Sequence, residues 1–172
     1  MENAILRPAA PPTVNWLPSA LLTGLLAGTL DISAACAQYA LMTHKPPVQI
    51  LYYVASGAFG PAAMGGGVTM ALAGLLVHYF IATFFACAFY WLAARWLGLL
   101  RRPVLAGLGY GVLVWVLMNV GVVPLTRIPA RPFHLLPSAV GMGILMLCIG
   151  LPTALRAARF FRPPAAPWAS RE

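Results

Sequence analysis

Asp31 and His78 are the residues of this chain best placed to do chemistry. Asp31 is one of three acids in the 172-residue sequence, and the other two, Glu2 and Glu172, stand at the chain ends. It falls near the middle of the apolar stretch Trp16 to Leu41, which is long enough to cross a bilayer. A carboxylate at that depth costs roughly 2.5–3.5 kcal/mol on insertion scales, so it must face protein or trapped water. His78 lies in a second apolar stretch, from about Gly67 to Ala94. If the two stretches run antiparallel, a rise of ~1.5 Å per residue puts both side chains near mid-bilayer. A carboxylate beside an imidazole there can hold a proton or a cation. Taken alone, Asp31 reads more readily as a buried interhelical hydrogen bond that fixes packing. The corresponding plain reading of His78 is a neutral ring bonded to a carbonyl or hydroxyl.

Two further polar residues join this intramembrane set. Gln38 shares the Asp31 face of a helix with Gly24, Gly28 and Ala35, while Leu22, Leu25, Leu26, Leu30 and Ile32 form the greasy side. Asn119 is the one strongly polar residue of a third apolar stretch, and it reads first as an interhelical hydrogen-bonding group. No other motif carries chemistry. Gly65-Gly66-Gly67 is followed by no Lys-Ser or Lys-Thr, and GxSxG, HExxH, CxxC and paired carboxylates are absent from the sequence. His44 and His134 fall in two loops on one side without a carboxylate, a weak metal signal. Cys36, Cys87 and Cys148 each fall inside an apolar stretch and read as small buried residues. No catalytic residue, metal site or cofactor is assigned.

The elements that position these residues follow from hydropathy. Apolar residues make up 61% of the chain and charged residues 8%, which excludes an ordinary soluble domain. The expected fold is all-α, an integral membrane four-helix bundle with a short interfacial or re-entrant helix between spans one and two. A Pro-rich arm covers 1–15, one membrane domain covers 16–160, and a basic Pro-rich tail covers 161–172. Spans are expected at Trp16–Met42, Gly67–Ala94, Pro103–Val123 and Ser138–Ala158, with Asn15 capping the first. Gly57, Gly60 and Pro61 are expected to break the short helix that starts near Val48. Prolines 124, 129, 132 and 137 are expected to make an extended loop, and Pro152 to kink the last span with Thr153 bonding a freed carbonyl. Close helix packing is expected at Gly24, Gly28, Gly74, Gly107 and Gly111, and also at Gly121, Gly141, Gly143 and Gly150.

The net charge of +8 comes from arginines beside apolar spans and forms no aromatic-interleaved patch, so nucleic acid is not the expected partner. Arg7, Arg95, Arg101, Arg102, Arg156, Arg159, Arg162 and Arg171 fall on one side of the expected topology, and Lys45, Arg127 and Arg131 on the other. This bias puts both termini in the cytoplasm, a parity that four spans satisfy. Arg156, Arg159 and Arg162 read as topology markers, with headgroup contact a lesser reading. Ala35-Cys36-Ala37 ends an apolar run like a signal-peptide site. Early prolines, a single early arginine and Asp31 within the run argue that the segment is retained, and Ser33 argues against a lipoprotein site.

Several segments together carry a resemblance: TLDISAACAQYAL, VQILYYVASGAFGPAAMGGG, GLLVHYFIATFFACAFYWLA, RRPVLAGLGYGVLVWVLMNVGVVPL and LCIGLPTAL. The chain from about Gly24 to Arg159 resembles a group of uncharacterised four-span bacterial inner-membrane proteins. Asp31, Ala55-Ser56-Gly57, Gly60, His78, Met118-Asn119 and Gly150-Leu151-Pro152 are among the matching positions. The resemblance implies an inner-membrane location and no specific activity. Some members carry a histidine in the last helix near the place of Leu145, a polar partner this chain lacks.

Three functions fit these residues. The first is a small protein passing protons, a small cation or a solute through an Asp31–His78 centre in the lipid bilayer. It would act as a homo-oligomer, since four spans rarely enclose a full pathway alone. The second is a non-catalytic packing or assembly subunit in which both residues only fix helix register. A membrane-embedded enzyme ranks last. The arginine bias yields a direct prediction: an alkaline phosphatase reporter is active when fused after Lys45 or Arg131 and inactive when fused after Gly98 or at the C-terminus.

Overall fold

The computed structural model of the protein describes residues 15–126 and 134–161. Arg127 and Arg131, the residues before 15 and the tail from 162 on lie outside the described residues. Helices fill nearly all of the described chain, and no strand occurs among those residues. We number them α1 (Leu17–Thr43), α2 (Gln49–Phe59), α3 (Gly67–Arg95), α4 (Pro103–Leu125) and α5 (Leu135–Phe160). The four long ones, α1, α3, α4 and α5, are each long and apolar enough to cross a membrane. This is the expected all-α four-helix bundle, and the protein is a multi-pass membrane protein on that ground.

The start of α1 needs little from its surroundings. The Asn15 side chain accepts the Leu17 amide at 3.2 Å, and Pro18 in the first turn lacks an N–H that would otherwise go unpaired. The long helices run up and down. Gly24 lies against Thr83 and Gly28 against Ala82 and Tyr79, so α1 and α3 progress in opposite directions. Gly107 lies against Gly150 and Ala154, and Gly111 against Met146, which makes α4 antiparallel to α5. In turn α5 packs on α1, which joins the two pairs. At these glycines a Cβ would collide with a neighbouring helix, and it is their small size that lets the helices meet. Gly74 does the same for α2, whose Leu51 carbonyl sits where a Cβ would go. With Ala55 and Ser56 buried, α2 lies along α3 instead of standing free.

Several expected boundaries move, each for a local reason. Gly57 does not break α2, which runs on to Phe59. Gly60, at φ 81°, makes the turn, and Pro61 then opens a 3₁₀ turn over Pro61–Gly65. Pro124 and Pro137 are helical instead of extended, Pro137 because it sits in the first turn of α5. The kink expected at Pro152 is replaced by a wider device. Both α4 and α5 contain a π turn, Leu117–Val122 and Leu145–Gly150, each ending two residues before a proline. Proline has no N–H and its ring crowds the carbonyl four residues back. Widening the preceding turn to five-residue bonds accommodates both defects. Accordingly the Val123 N–H donates to the Met118 carbonyl and the Leu151 N–H to Met146. Thr153 makes no hydrogen bond to a freed carbonyl: its Oγ1 is buried without a partner.

The π turns also shift the phase of the helix beyond them. Gly121, within the turn of α4, faces open space, as does Gly143 in α5, and Gly141 meets only the Trp115 indole at 3.9 Å. The packing expected at these three glycines is absent: Gly121 lies inside the π turn of α4, and the π turn of α5 separates Gly141 and Gly143 from the packed Gly150. Likewise Ile32, placed on the greasy side of α1 by periodicity, is buried at 8% exposure, while Leu22, Leu25, Leu26 and Leu30 are exposed as expected.

One close-packed core fills the half of the bundle nearest the Arg95–Arg102 hairpin. Phe85, Phe89, Tyr90, Tyr110 and Val114 pack there with Ala20, Ala93, Ala154 and Ala157. The Tyr110 hydroxyl donates to the Phe85 carbonyl at 2.6 Å and fastens α4 to α3. These contacts predict a sharp contrast between glycines. Gly150→Val drives a side chain into the Gly107 carbonyl and lowers unfolding free energy in detergent by about 2 kcal/mol or more. Gly109→Ala meets nothing within 4 Å and stays within about 0.5 kcal/mol of the parent. Denaturant titration followed by circular dichroism reads both.

Candidate functional site

Polar side chains inside a membrane helix have two ways to be satisfied, and α1 uses both. Thr23, Thr29, Ser33 and Thr43 return their hydroxyls to the carbonyl four residues back, at 2.7–2.9 Å. A carboxylate cannot do this, since an ionised one only accepts. Asp31 must therefore look outside its own helix, and the titratable group it meets is His78 on α3. His78 Nε2 lies 3.9 Å from Asp31 Oδ2, with the side chains 12% and 14% exposed respectively. The same Nε2 is 2.9 Å from the carbonyl of Gly28. A carbonyl only accepts, so Nε2 carries a proton and donates it. Two acceptors, one a peptide oxygen and the other a carboxylate, thus compete for one N–H. Gly28 makes this possible, because a Cβ there would lie 3.0 Å from Ala82 and 3.1 Å from the Tyr79 ring.

Asp31 and His78 line a chamber of about 840 Å³ in the half of the bundle away from the Arg95–Arg102 hairpin. Its lining runs along α1 from Asp31 to Thr43, along α3 from His78 to Phe85, along α4 from Val114 to Val123, and along α5 from Pro137 to Ile149. Asp31 stands level with His78, and Phe85 lies seven residues deeper on α3, so the carboxylate is on the chamber wall above an apolar floor. Beneath it lies the close-packed aromatic core, so the chamber is closed on the arginine-bearing side.

The other two members of the expected polar set line the same chamber without joining the pair. Gln38 Nε2 donates to the Pro137 carbonyl at 3.1 Å and ties α1 to the first turn of α5. Asn119 Nδ2 donates to the Trp115 carbonyl of its own helix at 2.9 Å. His134 lines the chamber and His44 does not appear in its lining. Among the described residues no three His, Cys, Asp or Glu side chains come together to hold a metal ion.

Sequence reasoning missed Tyr39, Tyr53, Trp115 and Ser138, which also line the chamber. It also missed a second polar cluster toward the arginine-bearing end. Thr23 Oγ1 donates to the Ser19 carbonyl, which uses its only hydrogen. It therefore accepts both from Tyr90 at 3.1 Å and from Arg156 Nε at 3.0 Å. Thr23 is fully buried and Tyr90 nearly so, and Trp16, Phe160 and Phe161 pack around the tyrosine. Arg156, taken from sequence as a topology marker, thus also clamps α5 to α1. No sequence signal pairs residues 133 positions apart across two helices.

No family model, curated protein or solved structure matches the chain. The site is therefore read from its own geometry. That geometry makes an accessibility prediction. In a chain whose three cysteines are replaced by alanine, Gln38→Cys and Ser138→Cys react with a membrane-impermeant thiosulfonate at least tenfold faster than Ala157→Cys, which lies in the sealed half. Mass spectrometry of the labelled protein measures the rates.

Proposed function

We propose that this multi-pass membrane protein binds and passes protons, a small cation or a small solute, and that Asp31 and His78 are its exchange centre. The observation that carries the reading is the position of the pair: one carboxylate and one imidazole side by side on the wall of a chamber of about 840 Å³. Membrane-embedded carboxylates are costly, and they recur on ion and proton paths for that reason. His78 supports exchange because its Nε2–H needs only a small shift to trade the Gly28 carbonyl for the carboxylate. The closed floor supports one-sided access in this conformation, so passage requires the aromatic layer beneath Asp31 to open. A second copy of the chain fits this reading, because four helices leave little wall around a through-path.

A second reading has one observation of its own. The 2.9 Å bond from His78 to Gly28 already fixes α1 against α3, as a packing or assembly subunit requires. Asp31→Asn separates the two. For an exchange centre, the variant keeps its helical content and elution profile, while proton flux into dye-loaded proteoliposomes under an imposed potential falls to that of empty liposomes. For a packing role, the intact protein gives no flux at any potential, and Asp31→Asn lowers its melting temperature in detergent by several degrees.

A further inference from the structure

A proton or a bare ion does not need the space that Asp31 overlooks. Water occupies about 30 Å³ per molecule in the liquid. A chamber of about 840 Å³ falls in the range that holds drug-sized molecules, roughly 300–1,000 Å³. The chamber is also not bounded by protein on every flank. Next to it, between α3 and α4, runs a groove of about 230 Å³ lined by Phe80, Ile81, Phe84, Phe85, Met118 and Val122. Ile81, Phe85 and Met118 line both spaces, so the groove continues the chamber sideways. Its other three residues face the surroundings, Phe80 at 73% exposure, Phe84 at 60% and Val122 at 38%. The groove lies beyond the Tyr110–Phe85 hydrogen bond that holds α4 to α3, and its α4 wall is the π turn itself.

We infer that the chamber takes an amphipathic organic cation, whose ammonium head meets Asp31 and whose hydrocarbon chain lies in the α3–α4 groove. The inference rests on Asp31–His78 being a binding centre and adds the class of ligand. Charge selects the head: Asp31 is the one carboxylate among the described side chains, and the chamber offers it to whatever enters. The polar groups that line the chamber with it include His78 from α3, Asn119 from α4, Ser138 from α5 and His134 just before it, with Gln38 and Thr43 on its own helix. A carboxylate 3.9 Å from a single imidazole can accept an organic cation in place of that contact. Trp115, Tyr39 and Tyr53 add aromatic walls, which attract an alkylated ammonium through their ring faces. The groove offers only apolar side chains, and a chain lying there reaches the lipid without dehydrating a polar group.

Trp115 makes the test direct, because it lies on the chamber wall. The full chain is placed in phosphatidylcholine nanodiscs and titrated with dodecyltrimethylammonium brominated along its chain. The signal is the quenching present in the parent and missing from Trp115→Phe. Saturable quenching is expected, competed by the unbrominated cation and at least tenfold weaker with brominated dodecyl sulfate. Asp31→Asn is expected to weaken it at least tenfold and Asp31→Glu to retain it, which guards against misfolding. Val122→Phe, which fills the groove, is expected to weaken it while leaving the carboxylate in place. Equal quenching by cation and sulfate, or by Asp31→Asn and the parent, overturns the inference. Full competition by choline alone overturns the role of the groove. The proton-flux measurement is independent: flux without amphiphile binding removes this inference and leaves the exchange centre, and binding without flux does the reverse.

Discussion

Inside a hydrocarbon layer every polar atom must find its partner within the protein, and this constraint organises the whole chain. Backbone groups meet it by staying helical, even where proline intervenes. Pro124 and Pro152 would each interrupt the bonding ladder, and the chain answers with a wider turn instead of a break. Hydroxyls meet it locally, by turning back on their own helix. The carboxylate of Asp31 can do neither. It must be met by another helix or by an internal space, and the bundle supplies both, His78 and the chamber.

The two halves of the bundle solve the packing problem differently. Toward the arginine-bearing end, aromatic rings and alanines fill the interior, and the Thr23–Tyr90–Arg156 cluster joins three helices through one hydroxyl. Toward the other end, glycines bring α1 against α3 on one flank, while α4 diverges and leaves space. A chain with few charges thus places its polar capacity where the helices separate. The close contacts at Gly107, Gly111 and Gly150 hold α4 and α5 together below that opening, so it is framed by a rigid base.

Much of this was legible in the sequence, because the physics of membrane spans is local. Length and hydropathy located all four long helices to within a few residues. A lone acid and a lone histidine at matched depth were enough to suggest that they face one another. The glycines near the middle of α1 and at the start of α4 fell on the expected faces. What escaped was whatever depends on phase or on a distant partner. One π turn encloses Gly121 and the other separates Gly143 from Gly150, so a regular α-helical period does not carry contact to either. The chamber walls at Trp115 and Ser138 depend on how α4 and α5 diverge there. Arg156 looked like any flanking arginine, because nothing along α5 announces that Thr23 stands opposite.

The wide turns have a mechanical side. An extra residue in a helix behaves like a dislocation in a crystal: it can glide by trading one five-residue bond for one four-residue bond, and each residue it passes swings through about a hundred degrees. In α5 the dislocation is pinned, because Met146 and Gly150 lie against the backbone of α4. In α4 it carries Asn119, with Leu117, Val120 and Val122 on the open flank. A one-step glide in α4 alone would swing the Asn119 amide relative to the chamber while the rest of the fold stayed where it is.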